Sequence, residues 1–310
     1  MACVESKPKV ELERLYRPSQ AEFWEKYLLP RKAVVLVGCL DRWKACQTWS
    51  PAFFKDRYGD LPLQTKGQYY TLADYMPKGS RGKPLTMGEF IDLVEASSDE
   101  NPAPYLRNVW LEKFIPELYA DIEPTPQQFL PNWLEDPLAK PLYSRLHGGR
   151  AEFYMGGRGG KFPVLHYDTY YIHTFLSQIY GIKEYTIFPP DQSAFLYPDS
   201  RNKSTISVDD IDHVDLEKFP LFAQATPIRV LLHPGEVLAV PAGWWHMTKI
   251  ITPSITISMA RVNSSNWADF SRDLMQHAPA HLKPPLWCYL AGFRAYQGVR
   301  GPGISKKAAL

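Results

Sequence analysis

The stretch from about residue 150 to residue 260 most constrains the fold, because short apolar runs alternate there with proline and glycine turns. Each run has the length and the β-branched or aromatic content of a strand. The predicted strands are Ala151–Met155, Val164–Asp168, Tyr171–Ile179, Glu184–Phe188, Ile228–Leu232, Val237–Val240 and Ile255–Met259. Many short strands joined by such turns indicate a sandwich or a barrel, and a jelly roll is one solution.

Helical patterns precede these strands. Ser19 and Thr86 each begin a predicted helix, because a glutamate follows three residues later in a capping box. Ser50, followed by proline, begins another helix that Gly59 ends. The run Ala33–Val37 is typical of a buried strand. The prediction is a mainly β protein with flanking helices, an α+β fold built on a double-stranded β-helix.

Helical periodicity returns after Asn263, with Asn266 as a predicted cap and Pro285–Tyr296 as a second segment. Two placements are open for these helices: packing on the barrel, or a contact between two copies of the chain in a homodimer. We therefore expect an N-terminal α/β region (1–100) that buttresses the barrel, a jelly-roll core (101–262), and C-terminal helices with a mobile tail (263–310).

Composition excludes several classes of protein. A net charge of +2 and the lack of a basic stripe give no support for nucleic-acid binding. Four cysteines form no CxxC pair, so reduced thiols and a cytoplasmic location are the simpler expectation. Met1–Pro18 lacks the apolar core of a signal peptide. No apolar run approaches the roughly 18 residues of a membrane span.

Three residues suggest a metal site. His166 and Asp168 alternate along a predicted strand, so their side chains share one face, and His246 follows a later strand and turn. Two imidazoles and one carboxylate form the facial triad of non-haem Fe(II) oxygenases, which leaves open positions on the metal. Taken alone, each histidine is more often a packed residue, so both interpretations stand at this point.

Four longer stretches carry a resemblance to a known family. They are Leu165–Asp168, Ser177–Pro190, Pro234–Leu238 with Trp244–His246, and Ala33–Gly38 with the residues that follow it. Over about residues 10–262 the chain resembles the JmjC-type, cupin-fold 2-oxoglutarate oxygenases, in the branch of factor-inhibiting HIF and its bacterial relatives.

The resemblance implies roles for five residues. His166, Asp168 and His246 match the Fe(II) ligands, and Lys183 matches a lysine whose ammonium pairs with the distal carboxylate of 2-oxoglutarate. Tyr105 matches a further co-substrate contact, with a tyrosine that fills the core as the alternative.

Some positions depart from the family pattern. Thr174 and Ala260 stand where asparagine is frequent, and Pro163 where threonine is frequent. Thr174 can still donate one hydrogen bond to the co-substrate, and Arg261 can take over a carboxylate contact; a surface arginine at a strand end is the alternative. The segment after Asp168 is also two residues longer than in factor-inhibiting HIF.

The resemblance implies a dioxygenase that uses Fe(II), 2-oxoglutarate and O2 to hydroxylate a C–H bond of a protein side chain, a small molecule or a saccharide, releasing succinate and CO2. N-methyl-lysine demethylation is an alternative, which an aspartate ligand disfavours because histone demethylases commonly have glutamate there. A non-catalytic cupin-fold binding protein and a metal-dependent cupin isomerase are further alternatives, and Lys183 argues against both. His173 is expected to be a buried, hydrogen-bonded residue, and one of Trp244 and Trp245 a wall of the pocket.

Overall fold

Two β-sheets form the body of the protein. A computed structural model describes residues 11–66, 69–71, 84–103, 105–139, 151–162, 164–199, 201–207, 209 and 211–301. The strands in these residues are β1 (Arg14–Tyr16), β2 (Val34–Val37), β3 (Pro62–Lys66), β4 (Tyr69–Thr71), β5 (Pro84–Thr86), β6 (Tyr105–Trp110), β7 (Glu152–Gly156), β8 (His173–Tyr180), β9 (Lys183–Phe188), β10 (Ile228–Leu232), β11 (Glu236–Val240), β12 (Trp245–Ile250) and β13 (Ser254–Arg261).

The larger sheet has the order β1-β2-β11-β8-β13-β7-β6-β4-β3-β5, and the smaller sheet has the order β10-β9-β12. Strands far apart in sequence are neighbours in both sheets, as in a jelly roll, and a cavity opens between the two sheets. The expected mainly β fold with flanking helices is confirmed. The early strand β2 pairs with β1 and β11 and so belongs to the larger sheet.

Helices lie before and after the jelly-roll strands. They are α1 (Gln20–Phe23), α2 (Ala45–Thr48), α3 (Pro51–Tyr58), α4 (Met87–Glu95), α5 (Leu111–Phe114), α6 (Trp267–His277) and α7 (Lys283–Arg300). Ser50 caps α3, and Thr86 caps α4 with the complete predicted capping box. Ser19 caps α1, but the helix widens to a π-helix over Trp24–Leu28. The first four helices share one large apolar core with the larger sheet.

The structure differs from the predicted strands in one place that matters for function. Residues 164–168 do not form a regular strand; His166 makes isolated bridges to His246 and Lys203. Backbone pairing with two separate segments, rather than one continuous ladder, therefore holds this residue. Pro163, the expected departure from the family pattern, lies outside the described residues.

The C-terminal helices pack on the barrel. Trp133, whose N–H donates to the Val262 carbonyl just after β13, packs against Trp267 of α6 in a tilted arrangement and against Phe293 of α7 edge to face. Asn266 does not cap α6 with its side chain; its amide instead donates to backbone carbonyls of Tyr171 and Arg261. The homodimer stays a prediction, as does the three-part domain division, and residues 302–310 of the expected mobile tail lie outside the described residues.

Among the helices that the structure describes, none combines the length and the apolar character needed to cross a bilayer.

Candidate metal centre and co-substrate pocket

Backbone pairing brings the two predicted histidine ligands together. The His246 N–H donates to the His166 carbonyl at 2.7 Å, and the His166 N–H donates back to the His246 carbonyl at 3.1 Å. His246 lies on β12, whose ladder with β9 places it opposite Ile187. The two imidazole centroids are 4.5 Å apart. The order of the sheet thus fixes two ligands that are distant in sequence.

Both histidines present the same ring nitrogen to the cavity. Nδ1 of His166 lies 2.9 Å from the carbonyl of Val164, and Nδ1 of His246 lies 3.2 Å from the carbonyl of Trp244. A carbonyl only accepts, so each Nδ1 carries the proton and each Nε2 keeps a free lone pair. Each Nε2 lies 3.8 Å from Oδ1 of Asp168.

The Asp168 carboxylate is the third predicted ligand, and the pKa of His166 suits metal binding. The Thr174 hydroxyl donates to Oδ2 of Asp168, which leaves Oδ1 directed toward the histidines. Burial, and then the neighbouring His246, lower the pKa of His166 to about 4, so its ring is neutral at pH 7. One ligand atom from each of the three residues lies within 4.8 Å of the others. Two imidazoles and one carboxylate with open space beside them suit Fe(II).

A tight hairpin positions Lys183 at the other end of the cavity. Gly181 joins β8 to β9 with φ of +67°, and a Cβ there would meet the Pro253 carbonyl oxygen at 1.9 Å. The buried Gln178 amide donates to the carbonyls of Tyr180 and Gly181, at 2.8 and 3.0 Å. Only glycine fits this turn. The turn and the Gln178 hydrogen bonds to it account for the glutamine and glycine, three residues apart, that precede Lys183 in the sequence.

Lys183 is a buried amine that lacks a counter-charge among the residues described. Its side chain is 1% exposed, and Nζ donates to the Tyr105 hydroxyl at 2.7 Å. In the part of the chain that the structure describes, no carboxylate pairs with this amine. Burial lowers the pKa of Lys183 to about 7, because the charged form loses hydration and gains no anion. An anionic ligand would restore the charged form.

The ligands and the lysine face one cavity of about 350 Å³ between the two sheets. Its volume lies at the lower end of the range for small-molecule sites. Residues from both sheets line it. The cavity can therefore hold a small dicarboxylate between the ligand cluster and Lys183, with room for part of a substrate.

The structure brings most of the predicted residues together, with one exception. Tyr105 and Thr174 line the cavity with the three ligands and Lys183, and Ala260 lies beside Thr174 across the β8–β13 ladder. Thr174 uses its hydroxyl on Asp168. Arg261 points to the opposite face of β13, where Nε donates to the Phe129 carbonyl at 3.0 Å.

Arg261 is 1% exposed, so it is neither the expected carboxylate anchor in the cavity nor the alternative surface arginine. Strand alternation is the physical reason: Ala260 faces the cavity, and its neighbour must face away.

The predictions for His173 and for the pair Trp244 and Trp245 have different outcomes. His173 is buried, accepts from the Ala242 N–H at 3.0 Å and contacts the Ser265 hydroxyl at 2.8 Å, as expected for a packed histidine. Burial lowers its pKa to about 3. Trp244 and Trp245 are both buried, and neither lines the cavity, so the expected pocket wall is wrong.

Sequence reasoning missed three polar residues in the cavity. Glu152 and Tyr154 project from β7, and Asn108 projects from β6. The sequence does carry a signal, since Glu152 and Tyr154 are the two polar residues at alternate positions of a predicted strand. Their inward direction depends on the register of β7, which the sequence does not reveal.

Comparisons with known proteins agree with this geometry. Residues 20–260 match the family described as a cupin-like domain. Lysine-specific demethylase 8 of Xenopus tropicalis is 30% identical over 250 residues, which cover 80% of this chain and 52% of that protein. Arginine-specific demethylase JMJ20 of Arabidopsis thaliana is 26% identical over 270 residues, covering 80% and 56%. HSPB1-associated protein 1 of Homo sapiens is 31% identical over 147 residues, covering 46% and 28%.

The chain spans a little over half the length of the two demethylases. The expected branch, that of factor-inhibiting HIF, stays a prediction.

Proposed function

The chain belongs to the cupin-like, JmjC-type family of Fe(II)- and 2-oxoglutarate-dependent oxygenases, and on that premise we propose that it hydroxylates a substrate C–H bond. The substrate, 2-oxoglutarate and O2 are converted to the hydroxylated product, succinate and CO2. A protein side chain, a small molecule and a saccharide are the candidate substrates.

One observation carries this proposal: a buried amine, which no carboxylate of the described residues pairs with, shares a cavity with a His-Asp-His cluster. A buried amine that has lost its hydration is costly unless an anion joins it. The donor set alone would also suit other metal-dependent cupins, or a binding protein. Lys183 adds a site for a carboxylate at a distance from the metal, which those alternatives do not require.

The residues present fit both groups. His166, Asp168 and His246 would hold Fe(II), and Lys183 with Tyr105 would hold the distal carboxylate of 2-oxoglutarate. Bound Fe(II) supplies the chemistry with O2 and 2-oxoglutarate, whereas the protein supplies orientation and a protected pocket.

The surrounding side chains keep that arrangement in place. The carbonyls of Val164 and Trp244 fix the tautomers of the two histidines, and Thr174 holds Asp168. The Phe162 ring stacks on His166 with 4.8 Å between centroids and shields the imidazole on one side. These contacts order the ligands before any metal arrives, which reduces the entropy lost on binding.

N-methyl demethylation is the second candidate, because two of the relatives are named as lysine- and arginine-specific demethylases. Hydroxylation of an N-methyl carbon gives a product that releases formaldehyde, so the same site serves either outcome. The two differ only in which carbon the pocket presents. Formaldehyde release from a methylated peptide distinguishes them.

The decisive experiment measures metal-dependent binding and turnover of 2-oxoglutarate. Purified protein, prepared without oxygen, is given Fe(II) and 2-oxoglutarate, and succinate is followed after O2 is admitted. We expect wild type to bind 2-oxoglutarate only with metal and to release succinate, and we expect His166→Ala and Lys183→Ala to lose this. His277→Ala, at a half-exposed position on α6, is the matched control. Wild type that binds no 2-oxoglutarate with metal present contradicts the proposal.

A further inference from the structure

Glu152 occupies a part of the cavity that neither the metal nor 2-oxoglutarate explains. On β7 it pairs with Ser258 of β13 on one side and with Trp110 of β6 on the other. Thr174, which holds Asp168, pairs with Ala260, and Ala260 lies two residues from Ser258 on the same face of β13. Glu152 is therefore near the ligand cluster but displaced sideways, toward β6.

The hydrogen bonds of Glu152 leave one carboxylate oxygen for a ligand. Oε2 accepts from the Tyr154 hydroxyl at 2.6 Å and from the Asn108 amide at 3.3 Å. Asn108 also donates to the Tyr154 hydroxyl at 2.9 Å, which closes a ring of three side chains. Within the described residues, Oε1 receives no hydrogen bond, although the side chain lines the cavity. The ring therefore fixes the carboxylate and keeps one oxygen available.

A break in strand pairing builds this ring. The register between β6 and β7 shifts between Leu106 and Val109, and Asn108 within the shift has φ of +54°. Bulges of this kind redirect a side chain, and asparagine tolerates the left-handed conformation better than most residues. The irregularity places an amide beside Glu152 that a regular strand would direct elsewhere.

The charges lining the cavity can be assigned by elimination. Asp168 belongs to the ligand cluster, and Lys183 sits at the far end with Tyr105. Glu152 is the remaining carboxylate among the described lining residues, and no lysine or arginine neutralises it there. Burial and the nearby Asp168 carboxylate raise the pKa of Glu152, and hydrogen bonds from Tyr154 and Asn108 only partly oppose that change. A cation placed against the available oxygen would favour the charged form of Glu152 and make a charge-assisted hydrogen bond with it.

We propose that Glu152, oriented by Asn108 and Tyr154, is a specificity-determining residue that binds a cationic nitrogen group of the substrate, an ammonium or a guanidinium. This proposal rests on the proposed function and adds a substrate class to it. The carboxylate holds the charged end of the substrate beside the metal cluster, so that a neighbouring C–H bond faces the metal. Of the ring members, Glu152 contacts the substrate, whereas Asn108 acts as a positioning residue.

The test uses short glycine/serine peptides that carry one central arginine, lysine, citrulline or norleucine. Citrulline matches arginine in shape without the charge, and norleucine is lysine without its ammonium nitrogen. Binding to protein loaded with Mn(II) and 2-oxoglutarate is measured by calorimetry, and succinate release is measured separately with Fe(II). We expect wild type to prefer arginine over citrulline, or lysine over norleucine, by at least about tenfold, as for a charge-assisted hydrogen bond. The pair that shows the preference identifies guanidinium or ammonium as the group bound.

Glu152→Gln should reduce that preference to about twofold or less while the affinity for 2-oxoglutarate stays unchanged, because the amide keeps the shape but loses the charge. Glu95→Gln, at an exposed position on α4, is the matched control. If Glu152→Gln fails to fold, Asn108→Gly provides the second variant, since Asn108 is exposed and glycine accepts its positive φ. We expect Asn108→Gly, which removes the amide that orients Glu152, to weaken cationic peptides by about threefold and neutral ones not at all.

Two failures are distinguishable. Protein that binds no 2-oxoglutarate with metal contradicts the proposed function itself. Protein that binds 2-oxoglutarate normally but shows no preference for either cationic peptide, or keeps its preference in Glu152→Gln, overturns the assignment of Glu152 alone.

Discussion

The metal end and the lysine end of the cavity differ in how far the protein itself satisfies their polar groups. At the metal end, backbone carbonyls and Thr174 hold every ligand in place, and the neutral imidazole of His166 suits its buried position. At the lysine end, Lys183 is buried with a phenol as its hydrogen-bond partner, and burial lowers its pKa to about 7. The metal end is therefore ordered before its ligand binds. At the lysine end, the buried amine lowers the stability of the folded protein until an anion binds.

The largest effect is expected from Lys183→Met. Loss of one member of a buried charge pair costs about 2–5 kcal/mol, so 2-oxoglutarate should bind about 30- to 4000-fold more weakly. Without 2-oxoglutarate the same variant should melt at a higher temperature than wild type, because an unpaired buried amine is replaced by an apolar chain of similar length. Calorimetry and thermal unfolding measure the two effects.

Arg261→Met is the control for that variant. It should lower the melting temperature and leave 2-oxoglutarate affinity unchanged, since Arg261 serves the core and not the cavity. If Lys183→Met is less stable than wild type without ligand, the lysine end does not destabilise the free protein, and the contrast with the metal end is lost.

Thr174→Val is expected to have the next largest effect, at the metal end. Loss of a hydrogen-bonding partner of a metal ligand typically weakens metal binding by about 10- to 100-fold. Mn(II) or Co(II) titration measures the affinity, and Thr174→Ser should retain it because the hydroxyl remains. An unchanged metal affinity in Thr174→Val would mean that Asp168 needs no support from its neighbour.

The pH dependence of 2-oxoglutarate binding sharpens the comparison further. Free protein loses the Lys183 proton as the pH rises through about 7, whereas the bound dicarboxylate requires the ammonium. Affinity should therefore be level below pH 7 and fall by about tenfold per pH unit above it. Calorimetry in buffers of different ionisation enthalpy should detect proton uptake on binding above pH 7.

The same pKa fixes the sign of the stability effect. An unfolded lysine keeps its proton up to about pH 10.4, so between pH 7 and that value the unfolded chain binds more protons than the free folded protein. Stability without ligand should rise with pH in this window. Lys183→Met should abolish this contribution, and a binding profile in that variant that still falls above pH 7 would assign the titration to another group.

The smallest effect is expected from Tyr105→Phe. The hydroxyl makes one hydrogen bond to Lys183, and such a bond to a charged group contributes about 1.5 kcal/mol, so 2-oxoglutarate should bind about tenfold more weakly. Metal affinity should not change. Loss of metal affinity in this variant would show that the two ends are coupled rather than independent.

The sequence predicted which residue types form the site better than it predicted the direction of each side chain. Residue types and family-like spacing indicated His166, Asp168, His246 and Lys183, and the structure places all four around one cavity. Arg261 was misplaced because a shift of one residue along β13 exchanges the cavity face for the core face. Local sequence does not contain that register, which neighbouring strands impose.

Other features depend on long-range contacts in the same way. The Asn108 bulge arises from a mismatch between β6 and β7, and the wide helical turn of Trp24–Leu28 follows a normally capped start. His166 is held by backbone bridges to two distant segments, not by a strand of its own. Pattern and propensity describe neighbours along the chain and therefore cannot specify these features.

The pairing of β9 with β12 has a further consequence, for the length of molecule that the pocket accepts. His246 lies opposite Ile187 and Ile250 opposite Lys183, so the ligand end and the amine end are four residues apart on one antiparallel ladder, about 13 Å. The rigid Gly181 hairpin prevents that separation from changing gradually, and a one-residue slip would turn the amine out of the cavity. The ladder therefore sets the distance between the metal ligands and the amine and does not allow it to change in small steps. The pocket should discriminate between oxo-dicarboxylates that differ by a single carbon.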